Sequence, residues 1–222
     1  MKLEKIKEQI PKELYEVLQK EEIKELRPAQ YKAIKAGLLK EKNLLVCTPT
    51  ASGKTLIAEL ASLKSIIERK GKTIYIVPLK ALASEKFKDF KRKYQNLAKI
   101  ALSIGDIDSS DPYLVDYDLI ITTSEKLDSL LRHHAPWIHD IKVIIVDEIH
   151  LMNDPVRGPT LEILITMLRQ ILKNVQIIGL SATIGNPKEL AEWLNAKLIE
   201  DNWRPVKLFK GVYYKGEIEF NE

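Results

Sequence analysis

The chain has 222 residues, of which 45% are hydrophobic and 30% charged; this suits one globular domain with a sizeable core and excludes a disordered chain. Its single cysteine, Cys47, excludes an internal disulfide, and its four histidines do not fall at metal-ligand spacing, so no zinc site is expected. The charged N-terminus MKLEKIKEQIPKEL lacks the apolar run of a signal peptide, and nothing approaches the roughly 18 apolar residues of a membrane span. The expectation is a soluble, cytoplasmic chain whose formal charge of +4 hints weakly at a polyanionic partner.

In chain order, residues 1–42 read as a helical N-terminal region, with Pro28 where a first helical turn begins. The β-branched runs NLLVC (43–47), TIYIV (73–77), KIALS (99–103), DLIIT (118–122), KVIIV (142–146) and VQIIGL (175–180) read as buried strands. Between them, residues 57–70, 81–93, 124–133 and 160–173 carry the periodicity of amphipathic helices. Pro187 opens a further helix, with Asn186 and Glu189 as a capping-box-like pair. The basic run KFKDFKRK (86–93) is either a solvated helix face or a footprint for a polyanion. Residues 203–222 break the alternation: Lys215-Gly216 between two strand-like runs reads as a hairpin. Strand–helix–strand alternation implies a three-layer α/β fold, a mainly parallel sheet covered on both faces. Ligands bind such sheets at the carboxyl ends of the strands.

TPTASGKT (48–55) connects the first strand to a helix. Gly53, Lys54 and Thr55 match the second half of the phosphate-loop pattern, but Thr48 stands where that pattern has its first Gly. Pro49 fixes its own φ and biases Thr48 towards an extended conformation, so the bend does not need positive φ at that point. Pro49 has no N–H, which leaves the cradle to later amides in the run Thr50, Ala51, Ser52, Gly53, Lys54, Thr55, chiefly those of 51–55. A helix N-terminus favours an anion there. Lys54 is expected to reach the β/γ-phosphates and the Thr55 hydroxyl to ligate Mg²⁺. A small-residue loop with an ordinary surface lysine is the plainer alternative.

IIVDEIH (144–150) argues against that alternative, because a buried strand there ends in two adjacent carboxylates at the same sheet edge. Asp147 suits a metal ligand and Glu148 a base for the attacking water. Ser181-Ala182-Thr183, after the last core strand, carries two hydroxyls that can bond a neighbouring carboxylate or imidazole; a turn would also explain them.

TPTASGKT, DEIH and SAT, in this order, resemble the motifs of the first RecA-like domain of a superfamily 2 DExH helicase. The finer similarity is to the Ski-like branch, in particular archaeal DNA-repair helicases, through PLKALASEK (78–86), TTSEKLDSLL (122–131), RHHAPWI (132–138), DEIHLMNDPVRGPTLE (147–162) and WRPV (203–206). Ser124 departs from the Pro or Ala that relatives often carry, with little consequence. The resemblance implies a RecA-like domain over 1–202 and an exit hairpin over 203–222 leading to a second RecA-like domain. It implies ATP and Mg²⁺ as cofactors, and LRPAQ (26–30) as a Q motif in which Gln30 reads adenine. It also implies His150 as a relay to Ser181 and Thr183. Single-stranded nucleic acid, DNA more than RNA, is expected along Pro78, Lys80, Gly105, Asp106, Thr123, Ser124, Lys126 and Arg157. Lys80 and Lys126 could equally be solvated helix-start lysines, and Arg157 a salt-bridge partner. An RNA helicase of the same branch and a non-catalytic nucleotide-sensing module are the rival readings. An intact Glu148 disfavours the second. A small-molecule kinase would not need SAT or LRPAQ, and a GTPase would carry an Asn/Thr-Lys-x-Asp motif, which is absent.

Overall fold

The computed structural model describes residues 1–105, 111–206 and 209–221. Two layers of helices enclose a seven-stranded sheet in the order β3-β4-β2-β5-β6-β1-β7. The strands are β1 (Leu44–Cys47), β2 (Lys72–Val77), β3 (Ile100–Ser103), β4 (Leu119–Thr123), β5 (Ile141–Val146), β6 (Gln176–Ser181) and β7 (Lys197–Glu200). Every pairing between them is parallel. This is the three-layer arrangement the alternation implies, and it is RecA-like as the resemblance implies.

Six of the seven strands coincide with the apolar runs to within a residue or two, because each is buried on both faces and must be apolar throughout. The seventh, β7, carries no such signal. It is an edge strand, KLIE, in which only Ile199 is buried, so charged residues replace the apolar run.

Alternation along each strand sends side chains into two cores. Leu44 and Val46 of β1, with Val143 and Ile145 of β5, face the layer of α1 (Lys12–Lys20), α2 (Pro28–Ala36), α3 (Lys54–Ile67) and α4 (Lys80–Tyr94). Leu45 and Cys47, with Ile144 and Val146, face α5 (Ser124–Arg132), α6 (Gly158–Ile171) and α7 (Pro187–Trp193). Pro28 and Pro187 each open their helix. The Asn186–Glu189 pair is not a reciprocal cap: the Asn186 amide donates to the Glu189 carboxylate at 3.0 Å, and no side chain bonds the helix's free amides.

Two helices start earlier than their apolar periodicity indicates. α6 begins at Gly158, where a Cβ would lie 2.0 Å from the Met152 carbonyl, so only glycine fits that approach. α3 begins at Lys54 with Gly53 as its cap at φ 90°, which puts Lys54 and Thr55 in the first helical turn. The basic run on α4 is partly neutralised within the chain. Arg92 binds Glu21 and Asp89, and Lys93 binds Glu59 and Asp89. The expected hairpin is present as β8 (Lys210–Tyr214) and β9 (Glu217–Asn221), an antiparallel pair turning at Lys215-Gly216.

Candidate nucleotide site

Sheet register brings the motifs together. Cys47 pairs with Ser181, Val146 with Gly179, Ile76 with Val146, Val77 with Thr123 and Ser103 with Thr122. The loops that follow these strands therefore leave the sheet side by side at one edge. β6 lies between β1 and β5, so the segment after Ser181 separates the phosphate loop from Asp147 and Glu148.

The loop is held from several sides. Thr48 is fully buried, its amide donates to the Ser181 carbonyl at 3.2 Å, and its hydroxyl bonds that of Ser52 at 2.7 Å. This hydroxyl bridge closes the bend where the usual pattern relies on glycine. Ala51 takes positive φ at 62° and Gly53 at 90°. A Cβ on Gly53 would fall 2.6 Å from the Gln30 amide nitrogen, so that position tolerates only glycine on both counts. The Ser52 amide is not free for a ligand, because it donates to the Pro49 carbonyl at 3.3 Å. Thr50 and Ala51 are exposed above the loop. Cys47, beneath it, stays a neutral thiol: burial pushes its pKa up to about 11.

Lys54 folds back across the loop and donates to the carbonyls of Thr48 (3.1 Å) and Ser181 (2.9 Å). Burial lowers its pKa, and the carboxylates of Glu148 and Asp147 pull the other way. The ammonium thus already lies in the field of both carboxylates.

Asp147 is oriented by a residue that the motifs do not single out. Its Oδ2 accepts from the Tyr75 hydroxyl at 2.9 Å, and its Oδ1 from the Glu148 amide at 3.1 Å. Tyr75 is wholly buried on β2, and burial, reinforced by Asp147, raises its pKa well above the usual value. It remains a hydroxyl donor. The signal for it in the sequence is a tyrosine inside a buried apolar strand, which must find a partner for its hydroxyl. Glu148 itself sits in the left-handed region at φ 50°, a conformation non-glycine residues adopt at a cost and which often marks a functional site. Its carboxylate is about one-third exposed, at 31%.

His150 links this loop to the segment after β6, but not through the expected hydroxyls. Its Nδ1 accepts from the Ala182 amide at 3.4 Å and lies 3.4 Å from the Glu148 carboxylate. Ser181 contributes through its carbonyl, and Thr183 is exposed.

A cleft of about 670 Å³ opens beside the loop, lined in part by Arg27, Gln30, Gly53, Thr55, Leu56 and Lys86. Gln30 is 3% exposed and uses both ends of its amide within the chain. Its Oε1 accepts from the Arg27 amide at 2.8 Å, and its Nε2 donates to the Gly53 carbonyl at 2.9 Å. Gln30 is therefore a brace for the phosphate loop, and reading a base would require releasing one of these bonds. Arg27, also unanticipated, donates to the Ala51 carbonyl at 2.6 Å and lies over the Trp203 ring at 5.4 Å. It ties the WRPV segment to the loop.

The residues expected along a nucleic-acid track divide into two groups. Lys80 and Gly105 are exposed and Pro78 half-buried at the strand edge. Asp106 lies outside the described residues. Thr123, Ser124 and Lys126 are buried, at 3%, 5% and 2% exposure. Thr123 caps α5, accepting from the Lys126 amide at 3.5 Å, and the Lys126 ammonium pairs with Asp111 at 3.2 Å. The expectation of a solvent-facing Lys126 is thus corrected: a buried carboxylate on the neighbouring segment takes its charge. No carboxylate among the described residues lies within ion-pair distance of Arg157. It lines a narrow cavity with Pro78, Ser124, Asp147 and Glu148.

The sequence pattern of the DEAD/DEAH box helicases matches residues 27–190. The chain belongs to the DEAD/DEAH box helicase family. Within that family it is 56% identical to the ATP-dependent DNA helicase Hel308 of Pyrococcus horikoshii over 97% of this chain and 30% of that protein. It is 59% identical to Hel308 of Methanocaldococcus jannaschii over 93% of this chain and 18% of that protein. Among solved structures, the DUF1998 helicase MrfA bound to DNA superimposes with a TM-score of 0.77 at 29% identity. The match covers 88% of this chain and 30% of MrfA. This DEAD/DEAH box helicase domain thus spans less than a third of these relatives' length. No helix among its described residues is long and apolar enough to cross a membrane.

Proposed function

We propose that this chain is the ATP-binding motor domain of an intracellular, ATP-dependent DNA helicase, paired with a second RecA-like domain that the hairpin at 210–221 leads towards. The observation that carries the reading is the convergence of Lys54, Thr55, Asp147 and Glu148 at one sheet edge, with both carboxylates acting on the lysine. The first-turn amides of α3 and Lys54 suit a triphosphate, and Glu148 suits a base taking a proton from the attacking water. Thr55 and Asp147 form a hard-oxygen pair of the kind Mg²⁺ prefers, and the Lys86 ammonium beside both marks the point as one that attracts a cation. When bound, the metal supplies charge neutralisation on the β/γ-oxygens. Hydrolysis then reopens the cleft between the two domains and drives stepping along a strand.

DNA is favoured over RNA because the relatives' names specify DNA helicases. Contacts through Lys80 and strand-edge main chain fit phosphates and carry no base information. Binding of a labelled single-stranded DNA is expected to fall with salt, and Lys80→Ala to lower the slope of log K against log salt by about 0.7. Lys126→Ala should instead leave that slope unchanged and lower stability in chemical denaturation, since it breaks the buried ion pair with Asp111. A matched RNA strand binding more tightly than the DNA would turn the reading towards an RNA motor.

Gln30→Ala is expected to weaken ATP binding about two- to tenfold, the worth of a hydrogen bond or two. GTP and inorganic triphosphate should weaken with it, because the Gly53 carbonyl loses the shorter of its two hydrogen bonds. Titration calorimetry with the three ligands decides between roles: a loss confined to ATP would assign Gln30 to the base alone.

A further inference from the structure

Lys86 lies on the second turn of α4, outside the phosphate loop and the DEIH segment, yet its ammonium reaches into the nucleotide site. Its Nζ donates to the Thr55 hydroxyl at 2.9 Å and lies 3.5 Å from Oδ2 of Asp147. It also sits 5.7 Å over the ring of Tyr75, the same tyrosine whose hydroxyl steadies that carboxylate oxygen. The site is sheltered, with 22% of the Lys86 side chain and 11% of the Asp147 side chain exposed. Among the described residues, Lys86 is the only cation within ion-pair distance of Asp147. Lys54, the other nearby cation, is turned towards the Thr48 and Ser181 carbonyls.

We propose that Lys86 is a displaceable stand-in for Mg²⁺. It holds the Thr55 hydroxyl and the Asp147 carboxylate together before nucleotide arrives, and it must leave when the metal enters. The inference rests on the nucleotide-site reading above and deepens it. An ammonium and a divalent cation cannot share two oxygen ligands at contact distance, because two positive charges so close in a sheltered site repel strongly. A lysine suits this role because its charge sits on a flexible four-carbon stem and can swing away, whereas a guanidinium fork would hold the carboxylate more rigidly. The cleft that Lys86 lines also has Glu25 and Glu85 in its walls. The consequence is a site primed for metal arriving with nucleotide and closed to metal alone.

The test uses Mn²⁺ alone as probe, read by electron paramagnetic resonance on the 222-residue chain without nucleotide. The wild type should bind Mn²⁺ weakly. Lys86→Met should tighten binding about tenfold or more, since removing a competing charge in such a site is worth at least that factor. Lys86→Arg should remain as weak as the wild type, and adding Asp147→Asn to Lys86→Met should abolish the gain. Lys86→Gln provides a second uncharged variant, and circular dichroism identifies which variants are folded. Unchanged Mn²⁺ affinity in a folded Lys86→Met or Lys86→Gln protein would overturn the proposal, as would a gain that survives Asp147→Asn. A parallel ATP titration separates the two readings. Failure to bind ATP would sink the nucleotide-site reading, while the Mn²⁺ result judges Lys86 by itself.

Discussion

Replacing Glu148 by Gln, in this chain joined to a second RecA-like domain, is expected to lower ATP turnover by about 10²- to 10⁴-fold, the usual worth of a positioned general base. ATP affinity should stay within about twofold, because an interaction made only in the transition state changes kcat and leaves ground-state binding alone. The substitution keeps the side chain's shape and its contacts with the His150 ring but removes the basic oxygen. The backbone at Glu148 is left-handed, and Gln is no more strained there than Glu. Single-turnover hydrolysis and a separate nucleotide titration check both halves. A Glu148→Gln protein that still hydrolyses ATP at the parent rate would move the base elsewhere, and Asp147 would not be a substitute while Tyr75 and Lys86 hold its Oδ2.

The 222-residue chain by itself should bind Mg·ATP measurably yet turn it over at near-background rate, with or without DNA. Joining a second RecA-like domain should raise turnover by about 10³- to 10⁵-fold, the range attributed to an arginine supplied to the developing charge on the transferred phosphoryl group. The local geometry motivates this. Lys54 is the cation of the phosphate loop, Lys86 occupies the Thr55–Asp147 position, and no arginine among the described residues pairs with either carboxylate of the DEIH segment. Steady-state ATPase assays on the two forms decide the matter. Rapid, DNA-stimulated hydrolysis by the short chain would refute the need for a second domain.

Much of the fold was legible because its signals are local. A strand covered on both faces has to be apolar along its whole length, so NLLVC, TIYIV and KVIIV declared themselves. Pro28 and Pro187 marked helix starts because a missing N–H costs nothing in a first turn. The same locality made Gly53-Lys54-Thr55 and Asp147-Glu148 recognisable, since a phosphate cradle and a paired carboxylate are each built from consecutive residues. Signals weakened where packing, not periodicity, sets the limit of an element. β7 is an edge with one buried side chain, and the first turns of α3 and α6 are loop-like residues recruited into helices by their neighbours.

Sequence by itself therefore determined the alternation of elements, the edge of the sheet at which the motifs gather, and the candidate residues for phosphate and metal. Tertiary structure alone decided which strands are neighbours and which distant side chains meet. Placing β6 between β1 and β5 gives Lys54 the Ser181 carbonyl, 127 residues away in the chain. Packing both α3 and α4 against β2 brings Lys86 to Thr55, and pairing β2 with β5 brings Tyr75 to Asp147. The same packing withdrew Lys126 from solvent by facing it with Asp111. A lysine reads identically in sequence whether its charge meets water or a buried carboxylate. The difference lies in the desolvation that only the assembled layers impose, and in the partner they supply to offset it.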